Sequence, residues 1–160
     1  MSASCKLGIL KLFTLAMAVL FLGQNASGQS ACQSKLKPSD QQKFTQAVTA
    51  YDKKRYAESA EILRKILSKN PQSPDVLFYL GMNAVQRDFN AGGIRRYFTR
   101  LFDVCPDYPN ALAHYYMGIV NYTDEKFEQA LLNFNRFFEI ANAQSNPTYD
   151  AVYEEASNYR

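Results

Sequence analysis

Small residues recur along this chain at a nearly constant interval, and each sits among apolar residues spaced for a helix. Ala47, Gly81 and Gly118 are separated by about 35 residues each, and so are Pro71 and Pro106. Around Ala47, the residues Phe44, Val48, Ala50 and Tyr51 return every three or four positions; Leu77 and Leu80 do so before Gly81, and His114 and Met117 before Gly118. That period belongs to an α-helix. A residue without bulk in the middle of such a stripe lets a second helix cross closely. The second helix follows each time, from about Tyr56 to Ser68 with Ile62, Leu63, Ile66 and Leu67, then with Ile94, Phe98 and Leu101, then with Ala130 and Phe134 on to about Ala141.

Start and stop signals agree with these pairs. Ser39-Asp40-Gln41-Gln42 has the form of a capping box, so the first helix is expected to begin there. Ser73-Pro74-Asp75 and Asn146-Pro147 each offer an N-cap followed by a first-turn Pro. Asn70-Pro71 and Cys105-Pro106 close helices. Gly92-Gly93 reads as a weak point inside a helix, costing about 1 kcal/mol per Gly relative to Ala, and close packing is the expected reason for it rather than a phosphate loop.

From Ala111 to Phe138, the residues His114, Met117, Gly118, Asn121, Phe127, Ala130 and Phe134 fall at the offsets of the tetratricopeptide repeat. The Ala47-to-Gly81 interval of about 34 residues is that family's period, and the Pro71-to-Pro106 interval is longer by a single insertion. The chain resembles this family over about Ser39 to Arg160. His114 and Asn121 stand where the family usually places aromatic residues. The resemblance implies an all-α fold: a right-handed α-solenoid of three helical hairpins, about 39–72, 73–108 and 109–143, with a C-terminal capping helix over 147–160. It also implies that first helices line a concave groove where a partner is held. The family's groove positions fall on Phe44, Val48 and Tyr51, on Phe78, Met82 and Val85, and on Tyr115, Ile119 and Tyr122, with Asn83, Gln86 and Thr123 as polar edges. All nine lining residues are apolar or aromatic, which points to a protein or peptide partner. Three alternatives stay open: the segment 29–38 fills the groove, the seventh helix fills it, or the register is off by one.

The segment 1–28 differs from the rest. Lys6 and Lys11 flank and interrupt an apolar run ending at Leu22, no acid precedes Asp40, and Ala26-Ser27-Gly28 places small residues before Gln29. The run is too short for a membrane span, which needs about 20 apolar residues, and reads as a signal peptide cleaved before Gln29. Export to a periplasmic or outer-membrane-associated location follows, with no integral span in the mature chain. Residues 29–38 read as a polar tail. Cleavage takes away Lys6 and Lys11 and no acid, so the formal charge falls from +3 to +1. A body this close to neutral gives no electrostatic case for nucleic acid.

Cys5 leaves with the leader, so Cys32 and Cys105 remain. They either bridge, with about 4 kcal/mol of stabilisation in the chain-entropy model, or stay free, or Cys32 becomes a lipidated terminus. A bridge is within reach, since the stretch from Cys32 to Ser39 extends to about 23 Å.

Catalysis has no constellation. His114 is the sole histidine and stands at a packing position, no paired Cys or Asp/Glu cluster has metal-ligand spacing, and no cofactor motif occurs. The expected role is a non-catalytic interaction scaffold of the cell envelope. The leader, Cys105 to Pro109, Ala113 to Gly118 and Asp150 to Tyr153 also resemble the repeat module preceding a β-propeller and an OmpA-like peptidoglycan-binding domain in envelope proteins of the Bacteroidetes type. That resemblance implies association with envelope machinery, or the N-terminal module of a longer outer-membrane protein.

Overall fold

The computed structural model describes Cys32, residues 35–144 and residues 146–159. The expected leader, its cleavage point and Cys5 lie outside the described residues, as do Gln33, Ser34, Ser145 and Arg160. Seven helices occur among the described residues: α1 (Pro38–Asp52), α2 (Tyr56–Leu67), α3 (Pro74–Gln86), α4 (Ala91–Val104), α5 (Leu112–Thr123), α6 (Phe127–Ala143) and α7 (Pro147–Ser157). They form three antiparallel hairpins, α1 with α2, α3 with α4 and α5 with α6, and α7 packs on α6.

The small residues do what their spacing predicts. A Cβ added at Gly118 would stand 2.5 Å from the Phe134 ring, and one at Gly81 would collide with Phe98 in the same way. Phe98 and Phe134 are fully buried, each worth about 2–3 kcal/mol of apolar burial. Glycine is thus required at two crossings by the ring opposite. In the first hairpin Ala47 and Leu63, a smaller pair, occupy the equivalent places and are both fully buried.

Three turns join the paired helices without glycine. Lys54 and Glu125 each adopt a left-handed conformation in a three-residue turn, whereas the α3–α4 turn has four residues with two left-handed, Asp88 and Phe89. The residue inserted between Pro71 and Pro106 therefore lies in this turn. Gly92 and Gly93 are not in a helix interior; they occupy the first turn of α4, where the Asn90 side chain accepts a hydrogen bond from the Gly93 amide at 3.0 Å. Packing accounts for Gly93, whose added Cβ would meet the Ala84 Cβ at 3.0 Å, but not for Gly92, whose Cβ would make only an ordinary contact with the Asn90 Oδ1 at 3.5 Å.

The start of α1 also differs from the expectation at Ser39. The helix begins at Pro38, and the Asp40 and Gln41 amides donate to the Lys37 carbonyl at 2.9 and 2.8 Å. Proline has φ already set for a helix and no N–H to satisfy, so it takes the first position and leaves Ser39 inside the turn.

Cys32 and Cys105 form a disulfide, with Cα atoms 5.1 Å apart, within the normal range. Leu36 packs half-buried against the core. The described part of the expected polar tail is therefore tied to the end of α4 instead of trailing free.

Polar contacts then join one hairpin to the next. Asn83 on α3 donates to the Ser59 hydroxyl of α2 at 3.1 Å, both fully enclosed. Arg95 on α4 reaches Asn121 and Asp124 at the end of α5, while Asn70 donating to Asp40 and Tyr108 donating to Asp75 each close a contact within one repeat. At the last joint the buried Ala111 amide donates to the Tyr149 hydroxyl of α7 at 3.2 Å. First helices also touch one another directly, α1 with α3 and α3 with α5, to a degree that second helices do not. That puts the first helices on the inner, concave side of the array.

Candidate functional site

The concave face is built from the stripes of α1, α3 and α5 that point away from their own hairpin partners. On α1, Phe44, Val48 and Tyr51 are half-buried, because no earlier repeat covers them. The next two helices are covered on both sides. Phe78 accordingly turns into the core against Tyr108, with ring centroids 5.3 Å apart, and Met82 is buried beside it. Tyr115 is buried against Phe137 at 5.6 Å. Val85 and Ile119 remain half-buried, and Tyr122 is exposed.

The residues one position further on, Tyr79 and Tyr116, face outward in their place. Tyr79 packs edge-on against both Phe44 and Tyr51, each at 5.6 Å. Tyr116 receives Phe89 from the lengthened α3–α4 turn at 6.4 Å. Periodicity alone does not separate the two choices: Tyr79, Met82 and Gln86 follow a three-four spacing on α3, and Phe78, Met82 and Val85 follow a four-three spacing on the same helix. The face is therefore a row of aromatic residues crossing three helices, at the positions the family resemblance implies for Phe44, Tyr51 and Tyr122 and one residue beyond them for Tyr79 and Tyr116.

The expected polar edges divide. Asn83 is not on the edge; it is 2% exposed and held by Ser59 and by the Tyr79 carbonyl, to which it donates at 2.7 Å. Gln86 is exposed and its side chain hydrogen-bonds the Tyr51 hydroxyl. Thr123 is exposed and its hydroxyl donates to the Val120 carbonyl at 3.0 Å.

Burial is the main cause that pushes the Tyr51 phenol up to about 12, helped by the nearby Tyr56 and Tyr116 and opposed by Gln86. Burial likewise raises Tyr79, with Asp52 and Asp75 adding to it, and raises Tyr116, with Glu155 adding to it. The row is thus a set of neutral phenols with carboxylates beside it. The seventh helix supplies two groups to this side: Glu155 takes a hydrogen bond from the Tyr115 hydroxyl, and Tyr159, just past the helix, packs on Tyr122 at 4.8 Å.

His114 sits away from the row. It stacks on Phe102 at 4.4 Å and 10°, and burial lowers it to about 4, partly offset by a hydrogen bond with Asn133. It is neutral at pH 7 and enclosed in packing. Among the described residues no group of three or more His, Cys, Asp or Glu could hold a metal ion, and no helix is long and apolar enough to cross a membrane.

No family model matches the chain, and no curated protein matches it. Solved structures do. One, described as the CopN–Scc3 complex, matches at 19% identity and a TM-score of 0.57 over 87% of this chain and 82% of that one. The tetratricopeptide-repeat domain of Sgt2 from Aspergillus fumigatus matches at 13% identity and a TM-score of 0.60 over 82% of this chain and 83% of that one. The resemblance to OmpA-like envelope proteins draws no support from these comparisons. In fold, the chain is an α-solenoid of helical hairpins of the tetratricopeptide-repeat kind.

Proposed function

We propose that this chain is a non-catalytic interaction scaffold, exported to the cell envelope, that holds a segment of a partner protein on its concave face. The observation that carries this reading is the row of partly exposed aromatic side chains, Phe44, Tyr51, Tyr79, Tyr116 and Tyr122, on three successive first helices. Tyrosine offers a large rigid surface with a polar tip and is over-represented at protein interfaces. Two features support export: the leader-like segment 1–28, and a disulfide of the kind that persists in oxidising compartments. Association with periplasmic or outer-membrane machinery is the finer form of the same reading.

Site-directed photocrosslinking in the native host tests it. A photoreactive residue at Tyr79 or Tyr116 should give a discrete adduct with one protein of the exported fraction, and the same residue at Leu132, which is 68% exposed on α6, should not. Equal adducts from both sides, or none from the tyrosine row, would defeat the reading.

A further inference from the structure

The charges of this molecule are sorted by helix. The first helices α1, α3 and α5 and the capping helix α7 carry Asp40, Asp52, Asp75, Asp150, Glu154 and Glu155 against Lys43 as their one Lys or Arg. Most of the other basic residues lie on second helices and turns, as in Lys53-Lys54-Arg55 and in Arg95, Arg96 and Arg100 of α4, together with acids such as Glu58, Glu61 and Glu128. Asp40 is buried and takes a hydrogen bond from Asn70, and Asp75 is half-buried under the Tyr108 hydroxyl, so the exposed acids of these helices are Asp52 on α1 and Asp150, Glu154 and Glu155 on α7.

The acids also flank the tyrosines. Asp52, next to Tyr51 on α1, and Asp75 on α3 act on the Tyr79 phenol, and Glu155 on α7 acts on Tyr115 and Tyr116. Asp52 and Glu155 are exposed, and neither takes part in an ion pair among the described residues. Aromatic faces attract cations through their quadrupole, and carboxylates beside them add Coulomb attraction and steer the approach.

We infer that the occupant of the concave face is a lysine- or arginine-bearing amphipathic segment, its apolar side on the tyrosine row and its cations between Asp52 and Glu155. An acidic segment would meet like charge from the exposed Asp52 on α1 and Glu155 on α7. This inference rests on the docking reading above and specifies the chemistry of its partner.

The test uses three fluorescein-labelled amphipathic peptides with one Leu pattern and either Lys, Gln or Glu at the polar positions, titrated into the purified disulfide-bonded chain. The Lys peptide should bind about tenfold more tightly than the Gln peptide, and the Glu peptide least. Its advantage should shrink as salt rises from about 0.05 to about 0.5 M, and should vanish in the Asp52→Asn, Glu155→Gln variant. That variant keeps side-chain size and an acceptor for Tyr115. Lys and Gln peptides binding equally, with both weakened by Tyr79→Ser and Tyr116→Ser, would overturn the charge inference and leave the docking reading standing. A Lys preference that survives the double variant would place the cations elsewhere and also overturn the inference. Peptides that all fail to bind, or that bind regardless of the tyrosine substitutions, would remove both.

Discussion

Replacing Gly81 by Ala sets two known effects against each other, and the structure decides the sign. In a helix interior Ala is favoured over Gly by about 1 kcal/mol. Here the new Cβ would stand 2.6 Å from both Cδ1 and Cζ of Phe98. That ring is fully buried and packs against the buried Phe78, with ring centroids 6.2 Å apart, so it has no open space to enter. Over-packing a core in this way costs about 1–3 kcal/mol. With the ring's Cε1 nearer still, the cost stands at the upper end of that range, so the expected net loss is about 2 kcal/mol, or about 6–10 °C in Tm for a domain of this size. Urea titration followed by far-UV circular dichroism measures it. Phe98→Leu in the same chain should recover part of the loss, giving a coupling energy of about 1 kcal/mol in a double-mutant cycle. Gly92→Ala should have the opposite sign, since its Cβ would meet only the Asn90 Oδ1 at 3.5 Å. A Gly81→Ala chain as stable as its parent, or additive with Phe98→Leu, would refute the crossing argument.

Reducing the Cys32–Cys105 bridge should lower the unfolding free energy by about 4 kcal/mol in the chain-entropy model for so long a loop; matched urea titrations with and without reductant measure this, and unchanged midpoints would count against the bridge. Burial depresses His114 from 6.5 to about 4, so the unfolded chain binds the extra proton. Its contribution is full above pH 6.5 and is lost as pH falls toward 4, by up to about 3 kcal/mol; the pH slope of stability over that interval should flatten in His114→Gln. Tyr149→Phe removes the acceptor of the buried Ala111 amide and should cost about 1–3 kcal/mol, with faster hydrogen exchange in α7 as the local readout.

The hairpins were legible because their cause is local: a small residue, an apolar stripe and a Pro stop each sit within one repeat. The face was less so. The family's positions select Phe78 and Tyr115, but helices covered on both sides bury these residues, and Tyr79 and Tyr116 emerge instead. On α1, where no earlier repeat packs, Phe44, Val48 and Tyr51 remain half-exposed. The difference is an end effect of stacking, invisible in any single repeat. Asn83 reads as a polar surface residue until Ser59, 24 residues earlier, is known to lie across the interface. The disulfide could not be decided from spacing alone, because both cysteines lie at one edge of the array whether bonded or free. Gly92 and Gly93 read as interior glycines because the longer α3–α4 turn moves the start of α4 up to them.

The bridge between Cys32 and Cys105 has a mechanical meaning as well. It closes a loop of 73 residues that contains α1, α2, α3 and α4, so a pull transmitted from the N-terminal side of Cys32 enters the array at the end of α4. Tension would bypass the first two hairpins and fall on α5, α6 and α7. About 25 nm of contour length, at about 3.4 Å per residue, would stay hidden until the sulfurs part. With the bridge intact, the half of the concave face on α1 and α3 is shielded from load, while the half built on α5 and α7 is the part that a pull would open first.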